Sequence, residues 1–452
     1  MDITKSDEVE MTKATNAAPV TKPKGRLRWV VLGLLCLLAL INNIDRLALS
    51  VAAPAMQADL GLTATDIGLL GSAFALFYAI GQLPSGWLID RYGTRLLGGA
   101  VVLWSLATAA MGMFNTMGWF VVARAWLGLA EAPSLLATNK IVTHWFPKKE
   151  QGIANASWDA ALKAGPAFFT GILVWIVAAF GWRTLFFIAG VAGIVFAVLF
   201  LLSYRNPDDH PRLTTEERDY IRQDHDSGSP KTDHVPWGAL FTRPTMWGMM
   251  AGYFCNMWVY QIFLTFIPLF VINEFGIEFK SMGLIVSVPW IGAIIGDLAS
   301  GLLSKRLSER AGWTTKKAKM RIITVSLTFQ AGLVALIPLH GAGMSNSTGL
   351  AFTITLMAFA LGFNGAVVAH AWSMAAEVTT TETVASVASL QNFGGFLGAT
   401  VSPLVAGIII DATDSFNLVF FSAAIVGVLS LVFYHFGVRR PIITATSHQE
   451  AA

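Results

Sequence analysis

Charge is scarce in this chain: only 13% of its 452 residues are Asp, Glu, Lys or Arg, against 54% that are hydrophobic. Mean hydropathy is +0.59. That balance excludes a soluble globule. Cysteine is nearly absent. Cys36 and Cys255 stand alone in different halves, which gives neither a disulfide framework nor a metal-ligand spacing. No nucleophile–base set and no nucleotide-binding loop is present, and no polar segment is long enough to be a catalytic domain. An enzyme is therefore not expected, nor a cofactor, nor a nucleic-acid partner. A cleavable leader is not expected either: the first apolar run is too long and has no small-residue cleavage site.

What the chain has is long apolar runs. A bilayer span needs about 20 residues. Twelve runs qualify, at about 29–50, 65–89, 94–113, 118–144, 152–180, 183–204, 245–273, 281–304, 320–340, 347–377, 383–410 and 415–438. The expected fold is an all-α membrane protein of twelve spans, its natural partner the lipid bilayer. If both termini are cytoplasmic, the inside segments hold 25 of the 31 Lys and Arg residues, and outside segments hold Arg183 and Lys280. The positive-inside rule sets that orientation. The expected division is a tail at 1–28, a six-helix bundle at 29–204, a central cytoplasmic loop at 205–244, a second bundle at 245–438 and a tail at 439–452. Within the loop, Thr214 or Thr215 can cap a short helix with acids in its first turn. His225–Pro236 reads as a linker.

One stretch is denser in signal than any other. Gly86-Trp-Leu-Ile-Asp90-Arg91-Tyr-Gly93-Thr-Arg95 packs glycine, an acid and basic residues between two spans. Gly81–Arg91 and Gly296–Arg306, 215 residues apart, share six of eleven positions. A duplicated turn implies two halves of similar build, as in transporters that work by alternating access. Glycine pairs at four-residue spacing, Gly292/Gly296 and Gly394/Gly398, allow close helix packing.

The Gly86–Arg95 element resembles the loop 2–3 signature of the major facilitator superfamily. That resemblance implies two pseudo-symmetric six-helix bundles. A second set narrows it. Asn42-Asn43-Ile44-Asp45-Arg46 and Arg124-Ala-Trp-Leu-Gly128-Leu-Ala-Glu131-Ala-Pro133 resemble elements of the anion:cation symporter family, as do Asn139-Lys140 and Trp145-Phe146-Pro147. Members of that family carry sugar acids and other carboxylates, and its bacterial members are mostly proton symporters. The resemblance implies a small organic anion and protons as partners, a bacterial inner-membrane location and a working monomer. Asn43 stands where that family has Tyr, which removes or moves an aromatic wall of the site.

A charge at mid-span costs about 2.5–3.5 kcal/mol on insertion scales, so it should face a cavity or a partner. Asp45 and Arg46 are neighbours and point about 100° apart on a helix. Arg124 and Glu131 are two turns apart on one face. The expected arrangement pairs each acid with an arginine across spans 1 and 4. Protonating an acid then frees an arginine for a substrate carboxylate, with Asp45 and Glu131 as the proton sites. The competing reading is a static ion-pair cluster. Asp159 and Lys163, four apart, either neutralise each other or leave Lys163 for the second carboxylate of a diacid. Asp90, Arg91 and Arg95 in the first half, and Asp297 and Arg306 in the second, are read as gating residues that brace helix ends, Asp297 against the basic loop Lys305–Arg321.

Further candidate substrate contacts are Tyr78 on span 2, Tyr260 and Gln261 on span 7, and His370, Trp372 and Ser373 on span 10. Substrate hydroxyls need such partners. His370 is either a satisfied buried histidine or a pH sensor. Asn392 matches a substrate-contacting Asn in the resembled family. The leading function is import of an organic anion by proton symport. The alternative is an exchanger or exporter, aromatic carboxylates included.

Overall fold

Long apolar runs become helices because a chain in hydrocarbon must satisfy its backbone internally. The computed structural model describes residues 25–223, 237–341, 343–379 and 383–442. Among these residues, eleven helices are long and apolar enough to span a membrane, and a twelfth, Leu96–Met111, is apolar and shorter. In chain order they are α1 (Leu27–Leu60), α2 (Ala64–Tyr92), α3 (Leu96–Met111), α4 (Met117–Trp145), α5 (Lys148–Phe180) and α6 (Trp182–Ser203). The second set is α7 (Pro244–Phe275), α8 (Phe279–Glu309), α9 (Thr315–Leu336), α10 (Asn346–Val378), α11 (Val384–Thr413) and α12 (Asn417–Val432).

Sequence and structure differ mainly at helix ends. α1 runs ten residues past its apolar stretch and stops at Gly61 in the left-handed conformation. Pro54 does not end it. α4 is interrupted at Ala132–Pro133, because Pro133 cannot continue the hydrogen-bond ladder. α12 ends in a π-helical turn over Phe433–Gly437. The short helix Thr215–Arg222 is capped by Thr214, whose hydroxyl accepts from Glu217 N. The linker at 225–236 and the first 24 residues lie outside the described residues.

The helices form two six-helix halves. Contacts between the halves are carried chiefly by α2 with α11 and by α5 with α8. Exchanging the halves turns one of these pairs into the other, as expected of a two-fold repeat. Odd-numbered helices leave the side on which α1 begins and α12 ends, the chain-end face, and even-numbered ones return to it.

Packing differs between the two membrane faces. On the face opposite the chain ends, one apolar core joins both halves, from Leu47–Met56 and Ala64–Leu70 to Val259–Phe275, Ala406 and Ile410. On the chain-end face the cores are separate. One holds Val31–Ile41, Trp104, Trp145 and Phe200; the other holds Met246, Met249, Ile323 and Met374. The halves are therefore closed on the far face and parted on the near one.

Two glycines allow the far-face closure. A methyl on Gly68 would overlap the carbonyl oxygen of Pro403, and one on Gly407 would overlap that of Ala64. Asp411 on α11 adds a polar clasp. It accepts Ala64 N at 2.9 Å and Thr65 N at 2.7 Å, the free N–H groups that open α2. Ser50 Oγ donates to Thr265 O at 3.1 Å between α1 and α7.

Candidate functional site

The parted near side encloses a cavity of about 550 Å³ between the halves. α1 lines it with Leu35, Ala39, Asn42 and Arg46, and α10 with Asn364, Gly365, Val368, Ala369 and Trp372. These follow helical spacing, so each helix gives the cavity one stripe. α2, α4, α5, α7, α8 and α11 supply the rest.

Arg46 forms the deep end of the cavity. Its Nε and Nη2 donate to Glu131 Oε1 on α4 at 2.8 and 2.6 Å. Its guanidinium also lies 5.1 Å from the Tyr78 ring centre and 5.4 Å from that of Phe74, within cation–π range. Glu131 is fully buried and Oε2 has no partner. Beyond Arg46 lies a smaller enclosed cavity of about 110 Å³, lined by Asn43, Ser50, Arg124 and Gln261 among others. Arg46 borders both cavities and so forms a partition between them.

Asp45 points elsewhere, as its 100° offset requires. It accepts from Thr108 Oγ1 on α3 at 2.9 Å, and its Oδ2 has no partner. Of the two acid–arginine pairs expected from the sequence, one is therefore present. Arg124 donates to Leu70 O at 3.3 Å and lies 4.9 Å from the Phe74 ring centre. No ion pair joins it to Asp45 among the described residues.

Asp159, Lys163 and Asp297 form a second charged cluster. Lys163 Nζ lies 2.7 Å from Asp159 Oδ2 and 2.5 Å from Asp297 Oδ2. The first contact is the expected turn-to-turn pair on α5. The second crosses between the halves, from α5 to α8. Asp297 thus does not brace the basic loop after α8. It faces inward, because Trp290, Ala293 and Asp297 share one stripe of α8 on the cavity. Lys163 lines the cavity, with two of its three N–H donors directed at carboxylates.

Tyr78, Tyr260, Trp372 and Asn392 line the cavity as the sequence suggested. Asn392 donates to Gln82 Oε1 at 3.3 Å between α11 and α2. His370 and Ser373 do not line it. They follow the cavity-facing Ala369 and Trp372 by one residue and so turn about 100° away. His370 Nδ1 is 2.9 Å from Ala366 O, and Ser373 Oγ donates to His370 O. Gln261 and Arg124 face the smaller cavity instead. Residues missed by sequence reading include Asn42, Ser134, Asn155, Trp290, Asn364 and Phe396. Asn364 donates to Asn256 Oδ1 on α7 at 3.1 Å, and Phe396 stacks on Tyr78 at 4.5 Å between ring centres. The polar ones carried a signal, an amide inside an apolar span; the aromatic ones carried none.

Of the loop residues, Asp90 pairs with Lys140 on α4 at 2.6 Å. The Arg91 guanidinium packs on the Trp87 and Tyr92 rings. Arg95 donates to Leu201 O at 3.4 Å. The Asp90 and Arg95 contacts tie the end of α2 and the start of α3 to α4 and α6, within the first half. Arg306 is exposed near the end of α8.

Known proteins share this architecture. The chain is 33% identical over 423 residues to the probable L-galactonate transporter of Escherichia coli (strain K12), covering 92% of this chain and 90% of that one. It is 29% identical over 439 residues to the probable galactarate/D-glucarate transporter of Bacillus subtilis (strain 168), covering 93% and 94%. The solved structure of a bacterial homolog of the human lysosomal transporter Spinster, inward-facing and unoccupied, superposes with a TM-score of 0.72 at 19% identity, over 92% of this chain and 98% of that one. At that identity the likeness shows the fold. Residues 35–393 match the sequence profile of the Major Facilitator Superfamily. Twelve helices in two related halves around a central cavity, with that match across most of the chain, make this a multi-pass membrane transporter, not an enzyme, and the chain belongs to the major facilitator superfamily.

Proposed function

We propose that this transporter imports an organic anion, a sugar acid or related carboxylate, by proton symport. The observation that carries the reading is Arg46 at the deep end of the cavity, held by Glu131. A proton on Glu131 removes the charge that holds Arg46. The guanidinium fork, already in the cavity wall, then meets a substrate carboxylate. Loss of the proton re-forms the Arg46–Glu131 pair and releases the anion. Asp45 serves as a second proton site, with one carboxyl oxygen on Thr108 and the other free to carry the proton. Tyr78, Tyr260, Trp372 and Asn392 offer a substrate hydrogen-bond partners and ring faces.

Relatives named for galactonate and for galactarate and glucarate support the sugar-acid class. The density of Lys and Arg on segments at the chain-end side supports a cytoplasmic location for both termini. The cavity then opens to the cytoplasm of a bacterial inner membrane, and the described conformer is the inward-open one. The working unit in this reading is a monomer. Asp90, Arg91, Arg95 and Arg306 act on conformational change rather than on binding; Asp297 acts on it too, through its contact with Lys163 across the halves, and also lines the cavity.

Uptake into proteoliposomes with an imposed inward proton gradient tests this. The panel contains labelled galactonate, glucarate, glucuronate, lactate and hydroxybenzoate. Uncoupler-sensitive accumulation of one anion supports symport. Equilibration without accumulation removes the proton role from Asp45 and Glu131, and no uptake across the panel overturns the anion assignment.

A further inference from the structure

We infer that the cavity selects a monocarboxylate with a neutral polyhydroxy chain over the matching dicarboxylate. This deepens the transport reading above and rests on it. The charged side chains lining the cavity among the described residues are Arg46, Asp159, Lys163 and Asp297. They form two separate sets. At the deep end, Arg46 is balanced by Glu131. On the α5–α8 wall, one ammonium, Lys163, serves two carboxylates at 2.7 and 2.5 Å. That wall carries a formal net charge of −1. α7, α10 and α11 add only neutral groups to the lining, including Tyr260, Asn364 and Asn392.

One cation becomes available when Glu131 takes a proton, and it accepts one carboxylate. A second carboxylate on the same substrate finds no free cation in the lining of this cavity, since Arg124 lies beyond Arg46 in the smaller one. Lys163 is already doubly engaged, and Asp159 and Asp297 repel a like charge. Asp159 is accessible from the cavity, with its side chain 45% exposed. A hydroxyl fits the same wall well, because it donates to either aspartate. The amides of Asn42, Asn364 and Asn392 accept and donate to further hydroxyls. Relatives are named for a monoacid and for diacids, so likeness to them does not choose between the two classes.

The test is competition in proteoliposomes. Galactonate and galactarate differ only in a terminal hydroxymethyl or carboxylate, and gluconate and glucarate form a second such pair. Uptake of the labelled monoacid is measured against unlabelled monoacid or diacid. The wild-type chain is expected to prefer the monoacid at least tenfold, on the scale of a single uncompensated charge. Asp297→Asn and Asp159→Asn are each expected to bring the ratio toward one. The double variant, with Lys163 left as a free cation, is expected to favour the diacid. Equal competition in the wild type overturns the inference while leaving transport intact, as does a ratio unchanged in both single variants. Transport of neither member of either pair overturns the sugar-acid reading itself, and the inference falls with it.

Discussion

Arg46 on α1 gives two hydrogen bonds to a single oxygen of Glu131 on α4, and the other oxygen of that carboxyl has no partner. The ion pair is therefore not the two-oxygen, two-donor fork that holds a static bridge most firmly. Glu131→Gln keeps the shape and removes the titrating charge. It is expected to abolish accumulation driven by a proton gradient while leaving anion exchange measurable. Asp45→Asn should do the same. Full gradient-driven uptake in both variants would sink the proton role.

Thr108 distinguishes the two acids by contact. Its hydroxyl is the hydrogen-bond partner of Asp45 and does not reach Glu131. Thr108→Val leaves a buried carboxyl without a donor, a loss of about 1–3 kcal/mol. The expected outcome is a shifted pH profile of uptake with little change in anion affinity at saturating proton concentration. An unchanged profile would show that Asp45 does not titrate in the cycle.

The far-face clasp between Asp411 and the start of α2 must break when the transporter opens on that face. A carboxylate at a helix N-terminus contributes about 0.3–1 kcal/mol, and up to about 2 when partly buried. Asp411→Asn is expected to shift the population several-fold toward the conformer open on the far face. Spin-label distances between the far ends of α2 and α11 report it. An unaltered distance distribution means that the clasp carries no weight.

Gly68 meets Pro403 at the same closure. Gly68→Val overpacks this contact, a cost of about 1–3 kcal/mol felt only in the far-closed conformer. Turnover is expected to fall while substrate still binds from the far side. A variant with normal turnover would show that the two helices never come this close during transport.

Arg28 is buried between Glu150 and Glu217, each at 2.9 Å. Glu217 also accepts the N–H groups of Leu27 and Arg28, fastening the short loop helix under the first half. Removing one partner of a buried ion pair costs about 3–5 kcal/mol. Glu217→Ala is expected to lower the unfolding temperature in detergent and to speed proteolysis near residue 217. Unchanged stability would place this network in solvent.

Much of the architecture was legible because membrane spans are local. Residues 29–50 announce a helix whatever surrounds them, and the shared turn at Gly81–Arg91 and Gly296–Arg306 announces two halves. The site was legible only in part. Asp45, Arg46, Lys163 and Asp297 stood out because charge in an apolar span is costly. His370 and Ser373 stood out for a similar reason, yet they face away from the cavity. Polarity marks a residue that needs a partner, and that partner can be a carbonyl of its own helix.

By itself the sequence determined the class of molecule, the number of spans and the charged residues that demand compensation, because each follows from hydropathy and spacing along one segment. Only the tertiary structure decided which charges meet. Asp297 lies 134 residues from Lys163, and Glu131 lies 85 from Arg46. No spacing rule reaches across helices in this way, since helix rotation and the contact between halves choose the partner. The same packing turned Asp45 toward Thr108 and left the α5–α8 wall with one cation for two acids.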